Sequence, residues 1–378
     1  MKGTLTIWQA ACIITGYGVG TGIMALPYLV SRAGLVLSAV ILLIAFFASY
    51  CMHMMLAEIT IGGGTDSQIV SVFKQFLFRG SHGNIWVTVL FVLTALVLIT
   101  NLAAYIAGGA EVIEAFGVPP LAAQLIFYAI AASVVFFGLK VLGISESFSI
   151  DAIIVLVVVL AGASLFHLNN DILYPAGDAT EALAFFGMAM FAFVAFFSVP
   201  QTVVGLNGDP AKVRKAIMMG LGMNLVFIVV IVSCSLAAST QVTEVAIIGW
   251  AQGIGLWAQV VGSLFTLLAM LTTYWSISVA LSDIVEEQMH WNRRICWLIA
   301  TLPSLLLVLL NVGGFLSLMR TAGGLIAILI SFMVVPAFRR CRREKGALLL
   351  PATLASTPVQ MAVLAAYLLM AVGSSVSI

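Results

Sequence analysis

Residues 16–22 of this 378-residue chain read GYGVGTG, and residues 23–28 continue as IMALPY. The stretch lies inside an apolar run that extends from about residue 6 to residue 30. A glycine weakens an α-helix by about 1 kcal/mol relative to alanine, and a proline inside a helix removes a backbone hydrogen bond. Four glycines among seven residues, followed by Pro27, therefore predict that the apolar helix is interrupted here.

The whole chain is as apolar as this stretch. Hydrophobic residues make up 62% of the sequence and charged residues 8%, and the mean hydropathy is +1.18. Soluble domains carry about 25% charged residues, so a chain of this composition is predicted to lie in a lipid bilayer. The net charge of +1 does not indicate a nucleic-acid partner, and no sequence feature indicates an organic cofactor or an obligate protein partner. The first apolar run is interpreted as a retained helix rather than a cleaved signal peptide.

Apolar runs long enough to cross the hydrocarbon core recur along the chain. A membrane-spanning helix needs about 20 mostly apolar residues. Eleven such spans are predicted, near residues 6–30, 35–58, 84–110, 120–138, 147–168, 182–206, 213–238, 254–284, 295–312, 315–338 and 352–375. The sequence thus predicts an all-α membrane protein with short loops.

The basic residues predict how these spans are oriented. If the N-terminus is cytoplasmic, every lysine and arginine except Arg32 and Arg320 falls on the inner side. Basic residues favour the cytoplasmic side of a membrane. We therefore expect a multi-pass protein of the cell inner membrane with a cytoplasmic N-terminus and an external C-terminus. The basic run 339–345 is interpreted as a loop that anchors this orientation rather than as a nucleic-acid site.

A second interruption is predicted in span 6. Residues 187–200 read GMAMFAFVAFFSVP, with Gly187 at one end and Pro200 at the other. Spans 1 and 6 are an odd number of crossings apart, so they run in opposite directions. Interrupted helices at corresponding positions of two halves are typical of inverted-repeat transporters, whose substrate site lies between them.

Broken helices free backbone groups that can bind charged solutes. Unwound backbone is tolerated at membrane depth only where it is buried in protein or lines a cavity. Free amides at the start of a half-helix favour a carboxylate, and opposing carbonyls favour an ammonium group or a cation. This chemistry suits a zwitterionic amino acid, and the predicted contacts on span 1 are Tyr17, Gly18, Gly20, Thr21 and Gly22. The alternative is close helix packing, because Gly16/Gly20 and Gly18/Gly22 both fit the GxxxG pattern.

Several stretches resemble the amino acid/auxin permease family of the amino acid–polyamine–organocation superfamily. The first is residues 20–28, GTGIMALPY, which precede Ala33-Gly34. The others follow in order: residues 191–193 leading to Val199-Pro200, residues 209–216, residues 272–274 leading to 280–283, and residues 320–324. The resemblance covers essentially the whole chain and rests on order and spacing rather than on one motif.

The resemblance implies a LeuT-like fold of two inverted five-helix repeats and one extra helix. Residues 1–168 would form the first repeat, residues 182–338 the second, and residues 352–375 the extra helix. Helices 1 and 6 would be the broken ones. The same resemblance implies a Na⁺ site whose ligands are Gly16, Val19, Ala269, Thr272 and Thr273.

Two alternatives to the Na⁺ site remain open at this point. Threonines in membrane helices often bond to a carbonyl of their own helix, so Thr272 and Thr273 need not bind a cation. Some relatives in the resembled group are proton-coupled, and Asp151, near the start of span 5, is the rival candidate for a proton carrier. An ordinary interfacial acid near Lys140 is the simpler interpretation of Asp151.

Polar and aromatic residues inside other spans complete the predicted site. Asn101 and Tyr105 are four residues apart on span 3 and share a helix face. Phe193, Phe197 and Tyr274, together with Tyr17, are predicted as aromatic walls, although core packing explains them equally well. Arg320 lies inside span 10 and is predicted to gate the external side, opposite Glu111 or Glu114, or to attract the substrate carboxylate. Snorkelling of Arg320 to the surface is the alternative.

These patterns predict a secondary active transporter. Its expected substrate is a neutral amino acid with a hydrophobic or aromatic side chain, carried by Na⁺ symport and alternating access, with proton symport as the alternative. An intramembrane enzyme would need a catalytic group such as HExxH or GxSxG, and neither occurs. A channel would show rings of charge or a filter loop, whereas the paired breaks indicate a carrier.

Overall fold

The structure, a computed structural model, describes residues 5–20, 22–64, 67–80, 82–168, 174, 177–243 and 246–376. Of Ile248, Phe315, Leu316 and Arg320 it describes the backbone only. Every regular element in these ranges is an α-helix. In chain order they are α1 (Ile7–Gly18), α2 (Gly22–Ala33), α3 (Leu35–Gly63), α4 (Ile69–Leu77), α5 (Gly83–Glu114), α6 (Pro120–Phe136), α7 (Leu139–Ser164), α8 (Ala179–Ala192), α9 (Ser198–Gly205), α10 (Pro210–Ala238), α11 (Ala246–Ile254), α12 (Leu256–Met289), α13 (Arg293–Leu309), α14 (Phe315–Lys345) and α15 (Thr357–Ser375).

The length and composition of these helices confirm an all-α membrane protein. Among the described residues, seven helices are each long and apolar enough to cross a bilayer, and the bent pair α1 and α2 makes an eighth. The helices Pro120–Phe136 and Ala179–Ala192 are apolar but shorter. The number of eleven spans therefore stays a prediction.

Two helices start or end at places that the hydropathy pattern did not predict. Helix α7 begins at Leu139, directly after Gly138 (φ 81°), and not at residue 147. The prediction was wrong because Lys140, Ser145, Glu146 and Ser147 lower the hydropathy of this first stretch; Lys140 is exposed, whereas Glu146 is buried in the protein. The basic run 339–345, predicted as a loop, continues α14 as a helix.

Short helices occupy comparable positions in the two predicted repeats. The polar segment 59–83 contains α4, which follows α3. The segment 239–253 contains most of α11, which follows α10. One short helix after the second span of each half fits the predicted division at residues 1–168 and 182–338, which stays a proposal.

The first half-helix lies at the centre of the bundle. Helix α1 packs against α7, α10 and α12, and α2 packs against α8 and α10. Nine consecutive residues of α1, from Ala10 to Gly18, are buried. A helix that is apolar on all sides is expected to be surrounded by other helices. The packing therefore puts residues 16–20 and Gly22 in the middle of the protein rather than at its lipid-facing surface.

A buried ion pair joins α3 to α14. The carboxylate of Glu58 is fully buried and accepts a hydrogen bond from Nε of Arg342 at 2.7 Å. It also accepts bonds from the backbone amides of Leu349 (3.1 Å) and Leu350 (2.6 Å). The guanidinium of Arg342 lies over the Phe338 ring, 5.1 Å from its centroid. One member of the basic run thus has an internal role, because these bonds satisfy the buried carboxylate of Glu58 and the partly buried guanidinium of Arg342.

We expect Glu58→Ala to lower the stability of the protein by about 3 kcal/mol, because it leaves the Arg342 charge without its partner. Thermal unfolding of the purified protein in detergent measures the effect. Glu344→Ala is the matched control, since Glu344 pairs with Arg79 in an exposed bridge (2.6 Å) and should change the midpoint little. Equal midpoints for the two variants would contradict a structural role for the Glu58 pair.

Candidate functional site

The first interruption separates α1 from α2. Helix α1 ends at Gly18, α2 begins at Gly22, and the two helix axes differ by 54°. The amide of Val19 still bonds to the carbonyl of Thr15 (2.8 Å), so the helix ends in a regular turn. The break thus occurs in the structure within the predicted stretch 16–22, between the end of α1 at Gly18 and the start of α2 at Gly22.

The second interruption separates α8 from α9. Residues 193–197 lie between Ala192, where α8 ends, and Ser198, where α9 begins. The amide of Ala195 donates to Nε2 of the buried His53 at 2.9 Å, and Nδ1 of His53 donates to the carbonyl of Ser49 at 2.6 Å. His53 of α3 therefore satisfies a backbone group that the break frees, which unwound backbone inside a membrane requires.

Two residues that marked this break in the sequence have other roles. Gly187 lies within α8, where a Cβ would be 2.7 Å from the backbone of Gly373 in α15. It permits close packing of these two helices. Pro200 lies in the first turn of α9, where a proline needs no hydrogen bond. The interruption itself falls on residues 193–197, which contain neither glycine nor proline.

The two interruptions lie against each other. A Cβ at Gly18 would be 2.8 Å from the carbonyl oxygen of Ala192, and it would overlap the side-chain amide of Asn224. A Cβ at Gly22 would lie 3.1 Å from the ring of Phe191. Glycine is thus needed at residue 18, because the end of α1 touches the backbone at the end of α8.

The other side of the first break faces α5 and α12. A Cβ at Gly20 would lie 2.8 Å from the hydroxyl of Tyr105 and 2.7 Å from Oγ1 of Thr273. The predicted residues Gly20, Tyr105 and Thr273 are therefore brought together. Asn101 is one helical turn from Tyr105 on α5 and is also buried.

Four oxygen atoms converge where α12 meets α1. Oγ1 of Thr273 donates to the carbonyls of Gly16 (2.8 Å) and Ala269 (3.0 Å). Oγ1 of Thr272 donates to the same two carbonyls, at 3.3 and 2.9 Å. Four of the five residues implied as Na⁺ ligands are thus adjacent, and no described contact of Val19 joins it to them. The back-bonding alternative is also present, because both hydroxyls bond to Ala269 of their own helix.

A carboxyl group that the sequence analysis missed lies beside these oxygens. Glu146 of α7 is fully buried, and its Oε1 accepts a hydrogen bond from Ser276 of α12 at 2.7 Å. A Cβ at Gly16 would overlap Oε2 of Glu146 and would lie 3.1 Å from Cβ of Thr272. By contrast, Asp151, the predicted rival proton carrier, is exposed. The exposure of Asp151 fits the simpler interpretation as an interfacial acid, and Glu146 lies just before the predicted start of span 5 at residue 147.

Several buried polar atoms around the breaks have no hydrogen-bond partner in the described part of the chain. Both amide atoms of Asn101 and of Asn224 are among them, as are the hydroxyls of Tyr17 and Thr202. Buried polar groups are nearly always hydrogen-bonded in folded proteins, so a cluster of unpartnered ones needs an explanation. A polar ligand bound between the breaks would supply the missing partners.

The predicted aromatic walls fall into two groups. Tyr17, Phe193 and Phe197 are buried at or beside the breaks. Tyr274 instead packs edge-on against Phe127 of α6, with ring centroids 6.2 Å apart. The preceding residue, Thr273, faces Gly16. Tyr274 therefore points about a quarter turn away around the axis of α12, and the described contacts of Tyr274 support core packing.

Two predicted site residues cannot be compared with this geometry. Thr21 lies outside the described residues, and of Arg320 only the backbone, within α14, is described. Three residues that sequence reasoning missed are His53, Glu146 and Asn224. His53 and Asn224 are isolated polar residues inside apolar stretches, and such residues usually face the protein interior, so that signal was available for these two. Glu146 stands between Ser145 and Ser147, before the predicted start of span 5.

Comparison with known sequences identifies a transporter family. The sequence model of the tryptophan/tyrosine permease family matches residues 4–372. A relative described as glutamine transporter 2 of Aliivibrio fischeri is 23% identical over 361 residues, which are 90% of this chain and 90% of the relative. Both descriptions are of transporters rather than enzymes. The narrower resemblance to the amino acid/auxin permease family is not tested by these matches.

Two solved structures share the fold. One is MHP1, described as a nucleobase-cation-symport-1 family transporter in a closed conformation with bromovinylhydantoin bound. Its TM-score is 0.68 at 13% identity, over 99% of this chain and 92% of MHP1. The other is MhsT in complex with L-phenylalanine, with a TM-score of 0.65 at 14% identity, over 99% of this chain and 98% of MhsT. These similarities confirm the LeuT-like fold.

We expect Gly18→Ala to reduce substrate transport by about tenfold or more, because the added methyl group would push the end of α1 away from Ala192. Overpacking of this kind costs about 1–3 kcal/mol. Uptake into proteoliposomes measures the effect. Gly222→Ala in α10 is the control, since a Cβ there meets no atom within 4 Å. Equal transport by Gly18→Ala and Gly222→Ala would show that the close approach of the two breaks is dispensable.

Proposed function

This chain belongs to the tryptophan/tyrosine permease family, and on that basis we propose that it moves a neutral amino acid across a membrane by alternating access. The observation that carries the proposal is the contact between the two interrupted helices, with unpartnered buried polar atoms around it. Backbone amides and carbonyls freed at two such breaks match the carboxylate and ammonium groups of an amino acid.

The substrate side chain is proposed to be apolar or aromatic. Tyr17, Phe193 and Phe197 surround the breaks, so this side chain would meet aromatic rings. The family name supports an aromatic substrate, and one structural neighbour is bound to L-phenylalanine. The name of the relative instead supports glutamine. Asn101 and Asn224, whose amides have no partner among the described residues, could accommodate such a polar side chain.

The transport cycle is proposed to move one group of helices against another. The first group is α1, α2, α3, α8, α9 and α10, which contains both breaks. The second is α5, α6, α12 and α13, which contributes Tyr105, Asn101 and the two threonines. The described residues at the breaks are buried, which suits a state closed to both sides. The proposed setting is the cell inner membrane, with a cytoplasmic N-terminus and an external C-terminus.

Na⁺ is the proposed co-transported ion. The two hydroxyls and two carbonyls at Gly16, Ala269, Thr272 and Thr273 form a small oxygen-lined group next to the first break. A cation there would join α1 of the moving group to α12 of the other, and so couple ion binding to closure. Val19 completes the proposed ligand set. Proton symport is the second candidate, and the buried carboxyl of Glu146 is the observation that favours it.

We expect the purified protein in proteoliposomes to accumulate tryptophan, tyrosine, phenylalanine or glutamine when an inward Na⁺ gradient is imposed. Uptake of each radiolabelled amino acid, and competition by the other nineteen, measure the substrate class. Lysine and glutamate should compete poorly, because the described residues at the breaks offer no charged partner except the buried carboxyl. Failure to accumulate any amino acid under Na⁺ or proton gradients would refute the proposal.

We expect Thr272→Ala and Thr273→Ala to abolish the stimulation of uptake by Na⁺, because each removes one oxygen of the proposed ligand set. The measurement is initial uptake rate against Na⁺ concentration. Thr266→Ala is the matched control: Thr266 is also buried in α12 and bonds to Gly262 of its own helix, one turn before the cluster. Unchanged Na⁺ dependence in both site variants would remove the proposed cation site.

A further inference from the structure

A groove lies between α5 and α14, away from the two breaks. It has a volume of about 710 Å³ and is found where the segment between α4 and α5 meets the second half of α14. Leu90 and Leu93 line it from α5, and Leu329 and Met333 line it from α14. The members of each pair are three or four residues apart, so each helix presents one face to the groove. The proposed transport site includes none of these residues.

One end of the groove carries positive charge. Arg79, from the segment before α5, and Arg340, from α14, line this end, and both are exposed. Nη1 and Nη2 of Arg79 donate to the carboxylate of Glu344, each at 2.6 Å, and Nε of Arg340 lies 3.7 Å from the same carboxylate. The described residues that line the groove include no acid. Because two guanidinium groups share one carboxylate, one positive charge remains uncompensated at this end.

The length of the groove matches one leaflet of a bilayer. The segment of α14 from Leu329 to Arg340 corresponds to roughly 16 Å of helix. The hydrocarbon core of a bilayer is about 30 Å thick, so the apolar part of the groove reaches approximately to its middle. Trp86 lines the groove and is exposed, and tryptophan is enriched at the level of the lipid headgroups. The groove therefore runs from the headgroup region into one half of the hydrocarbon core.

The chemistry of the groove selects its occupant. Inorganic phosphate would bind the arginines but leave the apolar walls unused. A zwitterionic lipid would use the walls, but its phosphate charge is already balanced within its own headgroup. An anionic phospholipid offers an unbalanced phosphate, which guanidinium groups bind through paired hydrogen bonds, together with an acyl chain. Basic pockets between membrane helices are suited to such headgroups.

We propose that this groove binds one anionic phospholipid, with its phosphate against Arg340 and Arg79 and an acyl chain between α5 and α14. Glu344 competes with the phosphate for the same two guanidinium groups and so limits the affinity. The bound lipid joins α5 to α14 at their basic ends. The inference is independent of the solute and of the ion that the protein carries.

Native mass spectrometry of the full-length protein in detergent tests the inference. The probes are phosphatidylglycerol and phosphatidylcholine with identical acyl chains. We expect the first phosphatidylglycerol molecule to bind about fivefold more tightly than phosphatidylcholine, which corresponds to one uncompensated charge near the membrane surface. Inorganic phosphate should not displace the bound lipid, because it makes no contact with the apolar walls.

Charge variants locate the headgroup. Arg340→Gln should lower the affinity for phosphatidylglycerol about fivefold, because it removes one cation from the basic end. Arg294→Gln is the matched control, since Arg294 is an exposed arginine at the start of α13 that does not line the groove. Glu344→Gln should raise the affinity, because it leaves both guanidinium groups to the phosphate. None of the three should change the binding of phosphatidylcholine.

Variants of the wall locate the acyl chain. Leu93→Trp should lower the affinity for phosphatidylglycerol, because the larger side chain narrows the groove. Val92→Trp is the matched control: Val92 is the exposed neighbour of Leu93 on α5 and does not line the groove. Both side chains are exposed, so neither substitution should disturb the fold.

Three results would overturn the inference. The first is equal affinity of the wild type for the two lipids. The second is an equal loss of phosphatidylglycerol binding in Arg340→Gln and Arg294→Gln, which would indicate general attraction to the basic surface. The third is a dimer that Leu93→Trp dissociates, which would show that a second copy of this chain fills the groove. Lipid binding is measured without transport, so its failure is distinguishable from failure of the proposed function.

Discussion

The structure depends on one constraint, that backbone N–H and C=O groups within a bilayer must be satisfied inside the protein. Continuous helices meet it through their own hydrogen bonds. Two segments of this chain do not, and both lie at the centre of the bundle. At the second break, His53 bonds to the amide of Ala195. At the first break, glycines allow Ala192, Tyr105 and Thr273 to approach the backbone closely. The interruptions are thus supported by residues from three other helices, α3, α5 and α12.

A chain of polar contacts connects α9 with α12, α7 and α1. Gln201, in the first turn of α9, donates through Nε2 to the carbonyl of Ser276 at 3.2 Å, and the Ser276 hydroxyl donates to Glu146. Glu146 in turn lies against Gly16 of α1. Helices α1 and α9 therefore both contact the same stretch of α12.

The sequence predicted the first break correctly because its glycines act locally, although Pro27 lies inside α2. It predicted the second break at about the right place but for incomplete reasons, since Gly187 packs against α15 and Pro200 lies within a helix. The actual interruption depends on His53, which is far away in sequence. The same limit explains why Asp151 was considered and Glu146 was not. Hydropathy gives the approximate position of a helix but not its first turn, and the first two turns of α7 carry the buried carboxyl.

The central claim is that an amino acid binds between the two interruptions, and a structure of the protein with its substrate bound tests it most directly. A cryo-electron microscopy map in lipid nanodiscs should show the carboxylate against the backbone between Gly18 and Gly22, and the ammonium group against the carbonyls of residues 192–197. Substrate density at any other place, or continuous helices through both stretches, would contradict the account.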